Sequence, residues 1–344
     1  PIWLLAPYHH LDYYADIYDI PCYAPVVKEI ETYCDTFDRR RPDVGFCYNA
    51  NKEILITPIR EKDRNGSQIR YHGQCLEKYV SRQDGYTQVK SYVTEPDQLL
   101  EILNVPYVTP APDLEQFRKE KDELGERGLF MMDLGDPLEP LYHLCSAGDF
   151  SVWTLTDYDA ILEFADEMYN RVYKLYRYFL ENDVGDVFFI VGAEFAGPPL
   201  VSPSHFNEMC VRYVKGIVDL IRSYGKYSIV HYHGNLSQVL SGFRNIKPDG
   251  LHTIEAPPVG DCTISQAREA LGKDMILIGN IQYDDIVRKT PQEIESMVQD
   301  AIREGKGGRF ILSPTAGPYE KTIDEKTVAN YLAFIKAGVK YGRL

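Results

Sequence analysis

The sequence predicts an α/β protein built as a (β/α)8 TIM barrel, with an antiparallel β-hairpin region inserted near its N-terminus. Three observations carry this. After Gly128, short apolar runs alternate regularly with helix-period segments, which implies a parallel sheet with crossover helices. Residues 43–95 are instead β-rich and broken by Asn65-Gly66 and Asp84-Gly85, dipeptides that favour hairpin turns. No Gly-x-Gly-x-x-Gly follows the first apolar run, so a barrel fits better than a doubly wound nucleotide-binding sheet. The expected organisation is one domain over 1–344 with the β-rich insertion at 43–95.

In order, residues 1–6 (Pro-Ile-Trp-Leu-Leu-Ala) form a continuous apolar run, as expected of a strand buried on both faces. The chain starts abruptly inside this run, so a short segment is expected to precede Pro1. Within the insertion, 44–48, 53–60, 68–71 and 87–93 read as β segments. Helices follow over 96–125, with a strand near 104–108. From 128 the series is strand 129–133, a helix from about Pro137, a long helix 157–181 capped by Thr156, and strand 187–191. Then come helix 203–224, strand 227–231, helix 235–243, strand 250–254 and helix 264–271. Strand 275–279, helix 291–304, strand 309–313 and helix 322–340 complete it. Ile161, Phe164, Met168, Val172, Leu175 and Phe179 make a core stripe along the long helix. Thr290-Pro291-Gln292-Glu293 combines an N-cap, an N1 proline and a capping-box glutamate, which fixes that helix start. Six strands after 128, the opening strand and one near 104–108 make eight.

Composition narrows the function classes. With 51 acidic against 37 basic residues and a net charge of −14, a polyanion-binding surface, and so nucleic acid, is not expected. No apolar run reaches a membrane span, and no signal peptide is visible. Seven cysteines without a Cys-x-x-Cys pair point to a reducing, cytoplasmic setting and away from a cysteine-based zinc site.

In a barrel of this kind the chemistry sits at the C-terminal strand ends. Those ends read Asp133, Glu194, His231 with His233, Glu255, Asn280, and Ser313-Pro314-Thr315. His231 and His233 alternate along one strand, so both project to one side about 7 Å apart, as a pair of metal ligands or as two hydrogen-bonded histidines in a polar pocket. Glu194 and Glu255 end apolar stretches where an unpartnered charge is costly, so they are expected to converge on the histidines. Asp133 and Asn280 serve equally well as turn or N-cap residues. His252 falls off the inward phase of a strand over 250–254, and His205 lies at a helix start, so neither is expected in the site.

Several pieces together resemble the uroporphyrinogen decarboxylase superfamily, which includes cobalamin-linked methyltransferases: Leu200-Val201-Ser202-Pro203, His231-Tyr232-His233-Gly234-Asn235, Gly279-Asn280-Ile281, Gly308-Arg309-Phe310-Ile311-Leu312-Ser313-Pro314 and Ala329-Asn330-Tyr331. The resemblance covers most of 128–344 and the opening strand, not the hairpin region. True decarboxylases carry an arginine-containing stretch after the first strand; here it is Ala6-Pro7-Tyr8-His9-His10, so uroporphyrinogen itself is not the expected substrate. In the methyltransferase branch the resemblance implies zinc held by His231, by His233 in a cysteine's place, and by Glu255, with Glu194 a further ligand or an acid. Ala316 stands where a late cysteine would be. A His/His/Glu set makes zinc a stronger Lewis acid than a thiolate set, suited to polarising an oxygen.

The expected function is therefore zinc-dependent transfer of a methyl group from a methoxy or related small substrate to a corrinoid carried by a partner protein. His231 and Glu194 would be the catalytic groups, with tyrosines such as Tyr8, Tyr13, Tyr232 and Tyr319 lining an aromatic pocket. Two alternatives stand beside it. One is a carboxy-lyase acting on a small acid, which cationic groups at the pocket would favour; the other is a metal- or carboxylate-dependent hydrolase. A pure binding protein accounts least well for ionisable groups gathered at one end.

Overall fold

The computed structural model describes residues 1–83 and 86–342. Asp84-Gly85, one of the two hairpin signals, lies outside the described residues. Eleven strands divide into two sheets among those residues. The large sheet is parallel and runs in chain order: β1 (Thr36–Arg40), β6 (Gly128–Asp133), β7 (Val187–Ile190), β8 (Tyr227–His231), β9 (Gly250–His252), β10 (Ile276–Ile281) and β11 (Phe310–Pro314). The small sheet is antiparallel: β2 (Leu55–Arg60), β3 (Arg64–Tyr71), β4 (Gln74–Gln83) and β5 (Tyr86–Lys90).

The expected closed barrel of eight strands is replaced by an open, curled half-barrel of seven. The six strands after 128 are present, but the two earlier assignments change. Residues 104–108 form no strand. The opening run makes a single bridge, Ile2 to Leu312, with the Trp3 N–H on the Leu312 carbonyl at 2.9 Å and the Asp35 N–H on the Ile2 carbonyl at 2.8 Å. The first full strand is β1, Thr-Phe-Asp-Arg-Arg, whose charges hide it from a hydropathy pattern. The sheet curls far enough for residues near both ends to share one interior. Trp3, Leu5, Phe37, Met131, Val187, Phe189, Ile229, Ile278 and Ile311 form a single buried cluster. Outward residues such as Phe130, Met132, Phe188, Val230 and Leu251 pack beneath the helices. Twelve α-helices of the described residues surround this sheet: α1 (Ala24–Tyr33), α2 (Asp97–Leu103), α3 (Glu115–Leu124), α4 (Glu139–Leu144), α5 (Ala147–Thr156), α6 (Tyr158–Glu181), α7 (Arg212–Ser223), α8 (Leu240–Ile246), α9 (Ile264–Leu271), α10 (Tyr283–Arg288), α11 (Pro291–Gly305) and α12 (Glu325–Tyr341).

The long helix α6 buries its whole predicted stripe. Each such side chain stabilises the fold by about 1.5–3 kcal/mol. Its start differs from expectation: Thr156 closes α5, where its hydroxyl donates to the Val152 carbonyl, and Asp157 precedes α6. The capping box at Thr290 and Glu293 forms as the sequence predicts. In the insertion, Asn65-Gly66 is not a turn. Both residues sit in β3 opposite Arg60 and Ile59, and the chain reverses at 61–63. Gly66 is needed for close approach, since a Cβ there would lie 2.0 Å from the Lys78 carbonyl oxygen. The next reversal, at His72-Gly73, takes positive φ at both residues (44° and 78°), as a tight hairpin requires. All seven cysteines are unpaired. Among the described residues no helix is long and apolar enough to cross a membrane.

Candidate functional site

Strand alternation places one inward layer of polar side chains at the C-terminal strand ends. In β1, Phe37 and Arg39 face the interior, while Asp38 and Arg40 face outward to His9 and Glu120. In β6, Met131 and Asp133 face inward, and in β8, Ile229 and His231 do. His231 and His252 are register partners on neighbouring strands, so both rings point the same way. The expectation that His252 lies outside the site is thus corrected. Strand β9 ends at His252, so counting alternation back from Glu255 runs through loop and gives the wrong phase.

Three histidines meet here. The His231 and His252 rings stack 5.0 Å apart, and their Nδ1 atoms share a hydrogen bond of 2.8 Å, one donating and the other accepting. Phe189 packs against both rings and Trp3 against His252. Burial, then the charges of His233, His252 and Arg39, holds His231 well below the ordinary histidine range. Burial and His233 likewise push His252 down to about 3. Both rings are therefore neutral near pH 7. His233 is the opposite case. Burial disfavours its cation, but the Glu255 carboxylate, 3.1 Å from its Nδ1, and the charge of Glu194 outweigh that and raise it above the ordinary value. For Glu255, burial works against the anion, but the His233 contact and the Gly234 N–H at 2.8 Å hold it below the usual carboxylate range. Gln282, positioned by the Thr315 hydroxyl, lies 3.5 Å from the same carboxylate.

Beside this lies a charged half. Arg39 donates to Asp133 at 2.6 and 3.1 Å and to the Tyr14 hydroxyl at 2.7 Å, with its guanidinium 4.8 Å over the Phe189 ring. Arg41, half exposed, pairs with Glu139 and reaches to 3.6 Å from Asp133. Glu194 accepts from the Gly192 N–H at 3.2 Å, and burial raises its carboxyl above the usual range despite the nearby His233 charge. Beneath it, fully buried Asp136 accepts the Leu138 and Glu139 N–H groups, and burial pushes it well up. Gly192 makes room, because a Cβ there would sit 1.9 Å from Asp136 Oδ1.

His231, His233, Glu255 and Glu194 thus occupy one region, with Glu194 and His233 close enough to shift each other. They are not drawn together as the expected zinc ligand set. His233 and Glu255 hold each other at a spacing two ligands of one ion could have, while His231 bonds His252 through Nδ1 and leaves Nε2 open among the described residues, and Glu194 accepts from the Gly192 backbone through one oxygen. No group of three or more His, Cys, Asp or Glu side chains that could hold a metal occurs among the described residues. Asn280 faces Ser313 across the β10–β11 pair, and the Ser313 hydroxyl is spent on the Pro314 carbonyl. His205 stacks on Tyr158, apart from the other histidines. Of the tyrosines, Tyr13 and Tyr319 cluster with Tyr14 beside Arg39. Tyr232 is core, its hydroxyl donating to the Pro198 and Asn235 carbonyls, and Tyr8 packs on Tyr18 and Arg127. Sequence reasoning missed Arg39, Arg41, Tyr14, Asp136 and His252. The run Arg39-Arg40-Arg41 was the available signal for the first two.

Residues 84–337 match the family described as Uroporphyrinogen decarboxylase (URO-D). No curated protein sequence matches the chain. Among solved structures, a methyltransferase from Methanosarcina mazei is similar at 16% identity and a TM-score of 0.61, over 98% of this chain and 89% of that one. A B12-independent methionine synthase from Shewanella sp. W3-18-1, in complex with selenomethionine, is similar at 12% identity and a TM-score of 0.52, over 100% of this chain and 97% of that one. At these identities the likeness is one of fold.

Proposed function

The chain belongs to the uroporphyrinogen decarboxylase family, and on that premise we propose that it is a methyltransferase taking a methyl group from a small methoxy-type substrate, not a decarboxylase of uroporphyrinogen. One observation carries the reading: proton-bearing groups gather at the strand ends while the arginines there are already neutralised. Burial raises the Glu194 carboxyl above the ordinary carboxyl range, and the Glu255 contact raises His233 above the ordinary histidine value. Arg39 and Arg41 are tied to Asp133 and Glu139, which leaves little free positive charge for a porphyrinogen bearing eight carboxylates. The shared fold with a methyltransferase and a methionine synthase supports the same choice.

In this reading the substrate's methoxy oxygen lies against Glu194 and His233. As the methyl–oxygen bond breaks, its electron pair stays on the oxygen, which takes the Glu194 proton. The methyl passes to a nucleophile brought by a separate protein, a reduced corrinoid in the form the family resemblance implies. His231 and His252, both neutral, wall the site beside His233 without adding charge. No step is assigned to zinc. A second reading has its own support: Arg41 is half exposed, a cationic group that could hold the carboxylate of a small acid for a lyase.

The test is incubation of the purified chain with 4-methoxybenzoate and reduced cobalamin. The expected result is release of the phenol together with methylated corrinoid, reduced about 10²-fold or more by Glu194→Gln. Release of carbon dioxide without methylated corrinoid would favour the lyase and overturn the proposal.

A further inference from the structure

The insertion does more than flank the half-barrel. Together with α4 it encloses a cavity of about 500 Å³, a size that holds a small organic ligand. The walls are mostly apolar or aromatic: Val44, Phe46, Ile56, Ile69, Tyr92 and Leu144. Arg41, just after β1, and Lys78 on β4 line it as cations, and His143 of α4 lines it 3.9 Å from Glu139. Of its two carboxylates, Glu139 is ion-paired and Asp43 is bonded to backbone through one oxygen. Glu139 accepts from Arg41 and from the Tyr48 hydroxyl at 3.3 Å, and Asp43 accepts the Gly45 N–H at 3.0 Å. Lys78 differs. Its contact is the His143 carbonyl at 3.5 Å, and no carboxylate lies within ion-pair distance among the described residues. Neither Glu194 nor any of the three clustered histidines lines the cavity, and most of its lining precedes residue 84, where the family match begins.

We propose that this cavity is a binding site for a small monoanionic carboxylate with an aromatic or branched apolar body. The apolar walls take the body, and Lys78, with the exposed edge of Arg41, takes the carboxylate. One uncommitted ammonium matches a single negative charge; a phosphate dianion would face Glu139 and Asp43 with too little to offset it. A cationic ligand would meet Lys78 and Arg41 and find Glu139 paired, with only the second oxygen of Asp43 open to it. The cavity shares Arg41 and Glu139 with the charged half of the candidate site but none of the groups assigned to methyl transfer, and its test does not use that reaction.

Isothermal titration calorimetry on the full chain with benzoate, benzamide and benzylamine reads this directly. The expected result is benzoate binding about tenfold tighter than benzamide, with no heat from benzylamine. Lys78→Ala should weaken benzoate about fivefold and leave benzamide unchanged, and Phe46→Ala should weaken both. Lys78 is exposed, so Lys78→Ala should keep the wild-type thermal midpoint; Lys78→Gln, which keeps the side-chain length, must lose benzoate equally. Absence of benzoate binding, equal affinity for the three probes, or full benzoate affinity in both Lys78 variants would overturn the proposal.

Discussion

Replacing Glu255 with glutamine probes the pairing on which the site is built. Glutamine keeps the carbonyl that accepts the Gly234 N–H but removes the charge opposite His233. A hydrogen bond to a charged group contributes about 1.5–3 kcal/mol, and the lower part applies here because the His233 side chain is 38% exposed and solvent screens it. An unfolding entropy of about 2.1 cal/mol/K per residue gives roughly 0.7 kcal/mol/K for 344 residues, so the midpoint should fall by about 2–3 °C. The sign of the pH dependence follows from both partners. His233 is raised above its ordinary 6.5, so its share is complete below 6.5 and is lost as pH rises through the raised value. Glu255 is lowered below its ordinary 4.5, so its share is present above 4.5 and is lost as pH falls through the lowered value. The gap between wild type and variant should therefore be widest between pH 4.5 and 6.5 and narrow towards alkaline pH. Differential scanning calorimetry across this range reads it, and NMR titration of the His233 ring should show its pKa falling in the variant. A gap that stays flat, or widens above neutrality, would refute the pairing.

Other outcomes follow from the same geometry. Arg39→Met should destabilise the fold by about 3 kcal/mol by leaving buried Asp133 with only the half-exposed Arg41 at 3.6 Å, and Arg39→Met/Asp133→Leu should recover most of it, read by urea unfolding. His231 and His252 are neutral in the fold but bind protons when unfolded, so stability should fall as pH drops below 6.5. His252→Phe should make that slope shallower, measured as midpoint against pH. Dialysis against a chelator should leave the thermal midpoint unchanged if His233 and Glu255 pair directly; a drop of several degrees that disappears in His231→Ala would instead reveal the zinc set the sequence suggests.

The sequence by itself determined most of the scaffold. Apolar runs alternating with helix-period segments gave six parallel strands after residue 128, the buried stripe of α6 and the capped start of α11, because these depend on periods of 2 and 3.6 and on local caps. It also brought out His231, His233, Glu194 and Glu255 as charges at the ends of apolar strands. What it could not decide was partnership. Strand β1 escaped notice because Asp38, Arg39 and Arg40 look solvated, and only His9, Asp133 and Glu120, up to 94 residues away, make a charged strand tolerable inside the fold. His252 entered the site because its strand stops where it does, a matter of register with β8. Whether His231 faces a metal or another imidazole, and whether Glu255 faces a metal or His233, is likewise set by which side chains the curled sheet brings within hydrogen-bonding distance. Local patterns fix which residues face inward; long-range packing fixes which of them meet.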